Sequence, residues 1–191
     1  MALSTIGIQS FGLTDPGADK NIMWDDSASA LTITGMNGIT MVDSWRLTTN
    51  AANDVDPFSA NLERNDTAGF SHLVGMSVSS GVWTFPSTGF YWVQASVAYD
   101  EQNSTGADPG FRTEIQVTTD NSSYNSHGIG YAHLSGTNYQ DQGIATSIID
   151  VTDTANVKVK FRTVGVTDGN RIIGNSTEDL TSFKFIRLGD T

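Results

Sequence analysis

Cysteine is absent from the 191 residues, so no disulfide or thiolate-metal staple can hold the fold, and thiols say nothing about compartment. Charge is scarce, at 16% of residues, and basic charge scarcest: 10 Lys and Arg stand against 21 Asp and Glu, for a formal net charge of −11. Such a surface repels phosphate backbones and argues against nucleic-acid binding. Its plainest use is solubility. No apolar window reaches 18 residues, so no membrane insertion is expected. The opening Met1-Ala2-Leu3-Ser4-Thr5-Ile6-Gly7 has no basic start, and Asp15, Asp19 and Lys20 come too early for a secretory leader. Four matches to the glycan-acceptor pattern, at Asn65, Asn103, Asn121 and Asn175, are then by-products of a chain rich in Asn, Ser and Thr. No window has helical periodicity with caps, and there is no internal repeat or low-complexity tract. Nor is there a Gly-x-Ser-x-Gly elbow, a phosphate loop or a His-Glu-x-x-His pair.

What is abundant is strand and turn chemistry: Gly, Ser, Thr, Asn and Asp between short apolar runs. The length suits one sizeable domain with a small appendage. The densest apolar run is Gly81 to Tyr99. Val82-Trp83-Thr84-Phe85 alternates as a strand, Pro86 cannot join a sheet ladder, and Ser87-Thr88-Gly89 supplies a turn. A long strand from Phe90 to about Tyr99 follows. Phe90, Trp92, Gln94, Ser96 and Ala98 share one face, and Tyr91, Val93, Ala95, Val97 and Tyr99 the other. Both faces begin apolar, which predicts cover on both: a second sheet on one, a partner subunit on the other.

Residues 1–41 read as a separate segment with a hairpin, Asn21–Trp24 and Ala30–Thr34 around a polar turn. A lone hairpin is marginal in water, so it must pack on something. Ile22, Trp24, Leu31 and Ile33 are its candidates for attachment. Residues 42–191 predict an all-β domain of about eight to ten antiparallel strands, a sandwich or jelly roll. Strands are expected at 42–47, 72–77, 82–85, 90–99, 111–119, 128–134, 142–151, 156–164 and 180–188, with a short edge strand within 58–64. The runs 48–57, 100–110, 120–126 and 165–176 read as loops. Along 111–119, Phe111, Thr113, Ile115 and Val117 face the core, and Arg112, Glu114, Gln116 and Thr118 face water.

Chemistry is thinly represented. His72, His127 and His133 sit in different segments, without the convergence that catalysis or metal binding needs. Asp25-Asp26, Asp54 with Asp56, and Asp150 with Asp153 could hold a structural cation, but no spacing matches a calcium loop and Asp is favoured in turns. Trp83, Tyr91, Trp92 and Tyr99 could line a sugar site, although their strands read as buried. The polar loops Asp100–Gly110 and Asn121–His127 are better placed to meet a receptor. No cofactor and no enzymatic activity are expected.

Two resemblances add to this reading. Phe85 and Gly89-Phe90-Tyr91-Trp92-Val93, Asn156-Val157-Lys158-Val159-Lys160-Phe161, and Ser182-Phe183-Lys184-Phe185-Ile186-Arg187-Leu188 resemble the core strands of the C1q and tumour-necrosis-factor (TNF) superfamily. The departures are Val93 where the family has Phe, and Lys184 where it has Gly. More narrowly, Ser44-Trp45-Arg46-Leu47-Thr48-Thr49, Asn61-Leu62-Glu63-Arg64, Ser79-Ser80-Gly81, Phe85-Pro86-Ser87-Thr88-Gly89-Phe90-Tyr91 and Phe185-Ile186-Arg187-Leu188-Gly189-Asp190-Thr191 resemble small jelly-roll structural proteins of marine bacteriophages. Ala18-Asp19-Lys20-Asn21-Ile22-Met23-Trp24-Asp25-Asp26-Ser27 looks like a short module of phage tail fibres and other phage structural proteins. The resemblances imply a homotrimeric virion protein without enzymatic activity, a head decoration or head fibre that contacts other virion proteins. The alternative is a tail fibre or a receptor- or carbohydrate-binding module that meets a host surface glycan. They also imply that the aromatic strands, through Trp83, Phe85, Tyr91, Trp92, Tyr99, Phe183 and Phe185, build the core and a three-fold interface.

Overall fold

The structure, a computed structural model, describes residues 20–25, 30–35, 39–102, 110–134, 139–166 and 170–191. The chain divides into two compact units, Met1–Gly38 and Ile39–Thr191. In the first, β1 (Lys20–Asp25) and β2 (Ala30–Gly35) pair antiparallel, with Ile22 opposite Ile33 and Trp24 opposite Leu31. For the attachment candidates Ile22, Trp24, Leu31 and Ile33 the structure describes the backbone pairing alone.

The second unit is all β. Its strands are β3 (Val42–Leu47), β4 (Ala51–Ala52), β5 (Leu62–Arg64), β6 (Ser77–Ser79), β7 (Val82–Thr84), β8 (Gly89–Glu101), β9 (Phe111–Thr118), β10 (Asn125–Ala132), β11 (Gln140–Val151), β12 (Lys158–Val164), β13 (Asn170–Ile172) and β14 (Ser182–Gly189). They form two antiparallel sheets. The smaller runs β10-β9-β12-β7-β6; the larger runs β4-β13-β8-β14-β3-β5, with β11 also paired to β8.

The long strand β8 organises the larger sheet. One edge pairs with β11 from Gly89 to Asp100. The other edge is shared: β14 takes Phe90 to Ser96, and β13 takes Tyr99 to Glu101. Its odd-numbered face, Tyr91, Val93, Ala95, Val97 and Tyr99, is fully buried against the smaller sheet. The Tyr91 hydroxyl donates to the Ser87 carbonyl (2.9 Å), closing the turn that Pro86 and Gly89 begin. Around it the core is aromatic. Trp83 lies edge-on to Trp45 (5.1 Å between ring centroids) and against Phe185 (5.1 Å), while Phe161 stacks on Phe183 (4.5 Å). Each such ring buried contributes about 2–3 kcal/mol in place of a covalent staple.

Several expectations are revised. The segment Phe58–Arg64 does hold a short edge strand, Leu62–Arg64, while Phe58 is a core residue. Of 72–77, Leu73 only bridges to Val42, and the strand starts at Ser77. The loops at 48–57 and 165–176 carry the short strands β4 and β13, pairing with each other. The face of β9 expected to be wet is covered, with Glu114, Gln116 and Thr118 at 1%, 6% and 1% exposure. At Glu114 the reason is charge pairing: Arg112 and Arg162 bring their guanidinium groups to its carboxylate.

Two arginine clamps fasten residues 61–76 across β3. The buried Arg46 donates to Glu63 (2.9 Å), Thr67 (2.9 Å) and Asp66 (3.1 Å). The buried Asp43 carboxylate accepts from Arg64 (2.9 Å), the Trp45 indole (2.8 Å) and the Met76 N–H (2.7 Å). Together they hold Leu73 beside Val42, each accepting the other's backbone N–H.

Candidate functional site

Among the described residues, no sheet covers the even-numbered face of β8. Antiparallel register puts partner side chains on the same face, and this assembles a row that sequence order does not show. Ile148 stands opposite Trp92, Trp92 opposite Ile186, Ile186 opposite Val42, and Val42 opposite Leu73. Five apolar residues from five segments thus cross the sheet side by side, over about 19 Å at the usual strand spacing. Ile148 is 64% exposed and Leu73 50%; Trp92, Ile186 and Val42 are half-buried. Phe90 (39%) and Leu188 (55%) extend the row on one side. On the other side the next row is polar: Thr146, Gln94, Lys184 and Ser44.

A second set of exposed apolar residues lies where the two sheets meet. Strand β10 turns Gly128, Gly130 and Ala132 inward and leaves Ile129 and Tyr131 (69%) outside. The inward glycines are required: a Cβ on Gly128 would lie 2.6 Å from the Thr146 carbonyl, and one on Gly130 would strike the backbone of Ile144 and Ala145. Strand β10 therefore packs on β11 backbone to backbone, and its large side chains go outside. With Ile144 and Ile148 of β11, they make the sandwich edge apolar.

The residues picked from sequence separate into two groups. Trp83, Phe85, Tyr91, Tyr99, Phe183 and Phe185 are core, none more than 1% exposed. Buried so deeply, Trp83, Tyr91 and Tyr99 cannot line a sugar site. Trp92 alone among the seven faces outward. Ile148, Ile186, Val42 and Leu73 had no signal in sequence beyond being apolar, because their alignment depends on register.

Elsewhere, polar side chains close loops or tie them to neighbouring segments. His72, His127 and His133 are exposed and belong to different segments. Asp54 accepts from the Gly165 and Val166 N–H groups, Asp56 pairs with Lys160, and Asp153 accepts from Ala155 and Asn156. Among the described residues, no group of three or more His, Cys, Asp or Glu could hold a metal ion. The Asp26 side of the Asp25-Asp26 pair lies outside the described residues, as do Asn103 and most of the loop Asp100–Gly110. In the loop after β9, Asp120 accepts from the Ser123 and Ser122 N–H groups and from the Thr118 hydroxyl. The Ser123 N–H and then Thr118 hold its carboxyl well below the usual carboxylate range. Asn65 is buried, its amide donating to Ser44 and Asp179, so it is no glycan acceptor in the folded chain.

No known family model and no curated protein matches the sequence. Among solved structures, the fold is similar to an Eiger TNF from S. frugiperda (TM-score 0.57, 11% identity, covering 81% of this chain and 96% of that one). Murine APRIL is similar in crystals at pH 5.0 (TM-score 0.55) and pH 8.5 (0.53), each at 7% identity over 78% of this chain and 98% of that one. Identities this low speak for the fold alone: two antiparallel sheets of a C1q/TNF-like jelly-roll sandwich.

Proposed function

We propose that this chain is a non-enzymatic structural protein of a bacteriophage virion, assembled as a homotrimer and set on the capsid surface as a head decoration or head fibre. The observation that carries the assembly is the open apolar row Ile148–Trp92–Ile186–Val42–Leu73. A contiguous apolar stripe on a soluble domain marks an interface. The apolar edge adjoins the row at Ile148, but its other members, Ile129, Tyr131 and Ile144, lie outside the row. Edge against row is therefore a head-to-tail contact, which gives a ring where the rotation between copies closes, whereas a two-fold dimer must match a surface with itself. The number three and the virion setting rest on the sequence resemblances, with residues 1–41 as the segment docked on the particle.

Light scattering on the full chain tests the assembly. The expected mass is three times that of one chain. Trp92→Glu or Ile148→Asp places a carboxylate in the contact and costs about 2 kcal/mol or more per copy, enough to release monomers with an unchanged circular dichroism spectrum. A wild-type chain that stays monomeric at every concentration sinks the trimer. Immunogold labelling of intact particles tests the setting: dense label on heads supports decoration, sparse label at the tail supports a fibre, and no label on accessible particles overturns the virion reading.

A further inference from the structure

The row of Trp92 is at one end of β8, and the other end of the same face holds a hollow of about 380 Å³. Its origin is topological. Pairing with β14 ends at Ser96, and pairing with β13 starts at Tyr99. At the handover the backbone of Ala98 is satisfied without a paired strand: its carbonyl accepts from the Ile173 N–H (2.9 Å), and its N–H donates to the Thr181 hydroxyl (3.1 Å). A short side chain at a strand handover leaves a space, walled by Ile173 and Leu180 and rimmed by Gln140, Asp141 and Gln142.

The rim is already oriented. Gln142, opposite Ala98, donates through its side-chain amide to the Leu180 carbonyl (3.1 Å). Its amide oxygen and second N–H remain to serve a ligand. The Asp141 carboxylate accepts from the backbone N–H of His133 (2.8 Å) and of Gln142 itself (2.8 Å). No Lys, Arg or His belongs to the lining, and the Arg171 guanidinium in the neighbouring row is held by Asp100 (2.6 Å). An anion would therefore meet acceptors and no counter-charge. A purely apolar ligand would strand the amides.

From this lining we infer a binding site for a neutral sugar, a pyranose ring whose C–H face rests on Ala98, Ile173 and Leu180 while its hydroxyls pair with Gln140 and Gln142. Amides both donate and accept, as a hydroxyl does, and the volume falls within the range of small-ligand sites. Ala98 is six residues from Trp92 along β8, about 20 Å, and the lining of the hollow shares no residue with the row or the apolar edge.

The test is saturation-transfer NMR on the full chain with D-glucose, D-galactose, D-mannose and N-acetyl-D-glucosamine. At least one should receive saturation with millimolar affinity, shifting the backbone amides of Ala98, Gln140, Gln142 and Ile173. Gln142→Ala, at an exposed position, should weaken binding about tenfold, and Ala98→Leu, which fills the floor, should abolish it. Unchanged thermal melting and mass separate either loss from misfolding or loss of assembly. No transfer from any of the four sugars, or equal binding by both variants and wild type, overturns the site.

Discussion

Gly130→Ala is expected to destabilise the domain by about 3 kcal/mol, lowering Tm by roughly 6–12 °C for a domain of this size. The added methyl would lie 2.8 Å from the Ala145 nitrogen and closer still to the Ile144 carbonyl. Both obstacles are backbone, and no side chain can rotate away to make room. Strand β11 could yield only by leaving β8, to which it is paired along 12 residues. The fold would be strained where one sheet passes into the other. Gly189→Ala is the control: its Cβ would meet nothing within 4 Å, and its melting temperature should stay near that of wild type. Equal melting of both variants would mean that the seam is not packed backbone to backbone.

Glu114→Gln should cost a similar amount, about 3 kcal/mol, for an electrostatic reason. The carboxylate is 2% exposed and accepts from Arg162 (2.7 Å), the Ser126 hydroxyl (2.6 Å) and, at 3.3 Å, Arg112. Asp56 holds the far side of Arg162 at 3.5 Å. Without the Glu114 charge, two guanidinium groups would converge on a neutral amide in a covered site. Burial alone pushes the Glu114 carboxyl up, but the hydrogen bonds of Ser126 and Arg162 and the charges of Arg162 and Arg112 outweigh it and hold the group below its ordinary 4.5. A carboxyl whose pKa is lower in the folded state adds stability that is complete above its unfolded value and disappears as pH falls through the folded one. Wild type should accordingly lose stability below pH 4.5, and the Gln variant should lack that part of the acid dependence. Pairing Glu114→Gln with Arg162→Gln should recover part of the loss, since a double-mutant cycle isolates the coupling. A cycle with no coupling energy would remove the ion pair from the account of stability.

The sequence carried the fold class because the signals behind it are local. Alternation along Val157, Val159 and Phe161, the strand-ending Pro86, and the turn chemistry at Ser87-Thr88-Gly89 act within a few residues, and the structure places strands where they say. The two faces of β8 could also be told apart by period alone. The interface row could not. It joins residues 42, 73, 92, 148 and 186, and one step of slippage in any strand would turn that strand's contribution to the other side.

Two other features were outside the reach of periodicity. On β10, alternation predicts that one side is large and the other small, but it does not say which side goes in. Close approach of the β11 backbone decided for the glycines and set Ile129 and Tyr131 outside. On β9, Glu114 on an alternating strand reads as solvated, and the arrival of Arg162 from β12 and of Ser126 from β10 made its burial tolerable. The sequence by itself determined an acidic, disulfide-free, all-β chain with an aromatic strand at its centre. The tertiary structure alone decided which apolar residues stand side by side, which carboxylate is covered, and where a strand handover leaves a hollow. These depend on register and on contacts between distant segments, and local residue preferences do not encode either.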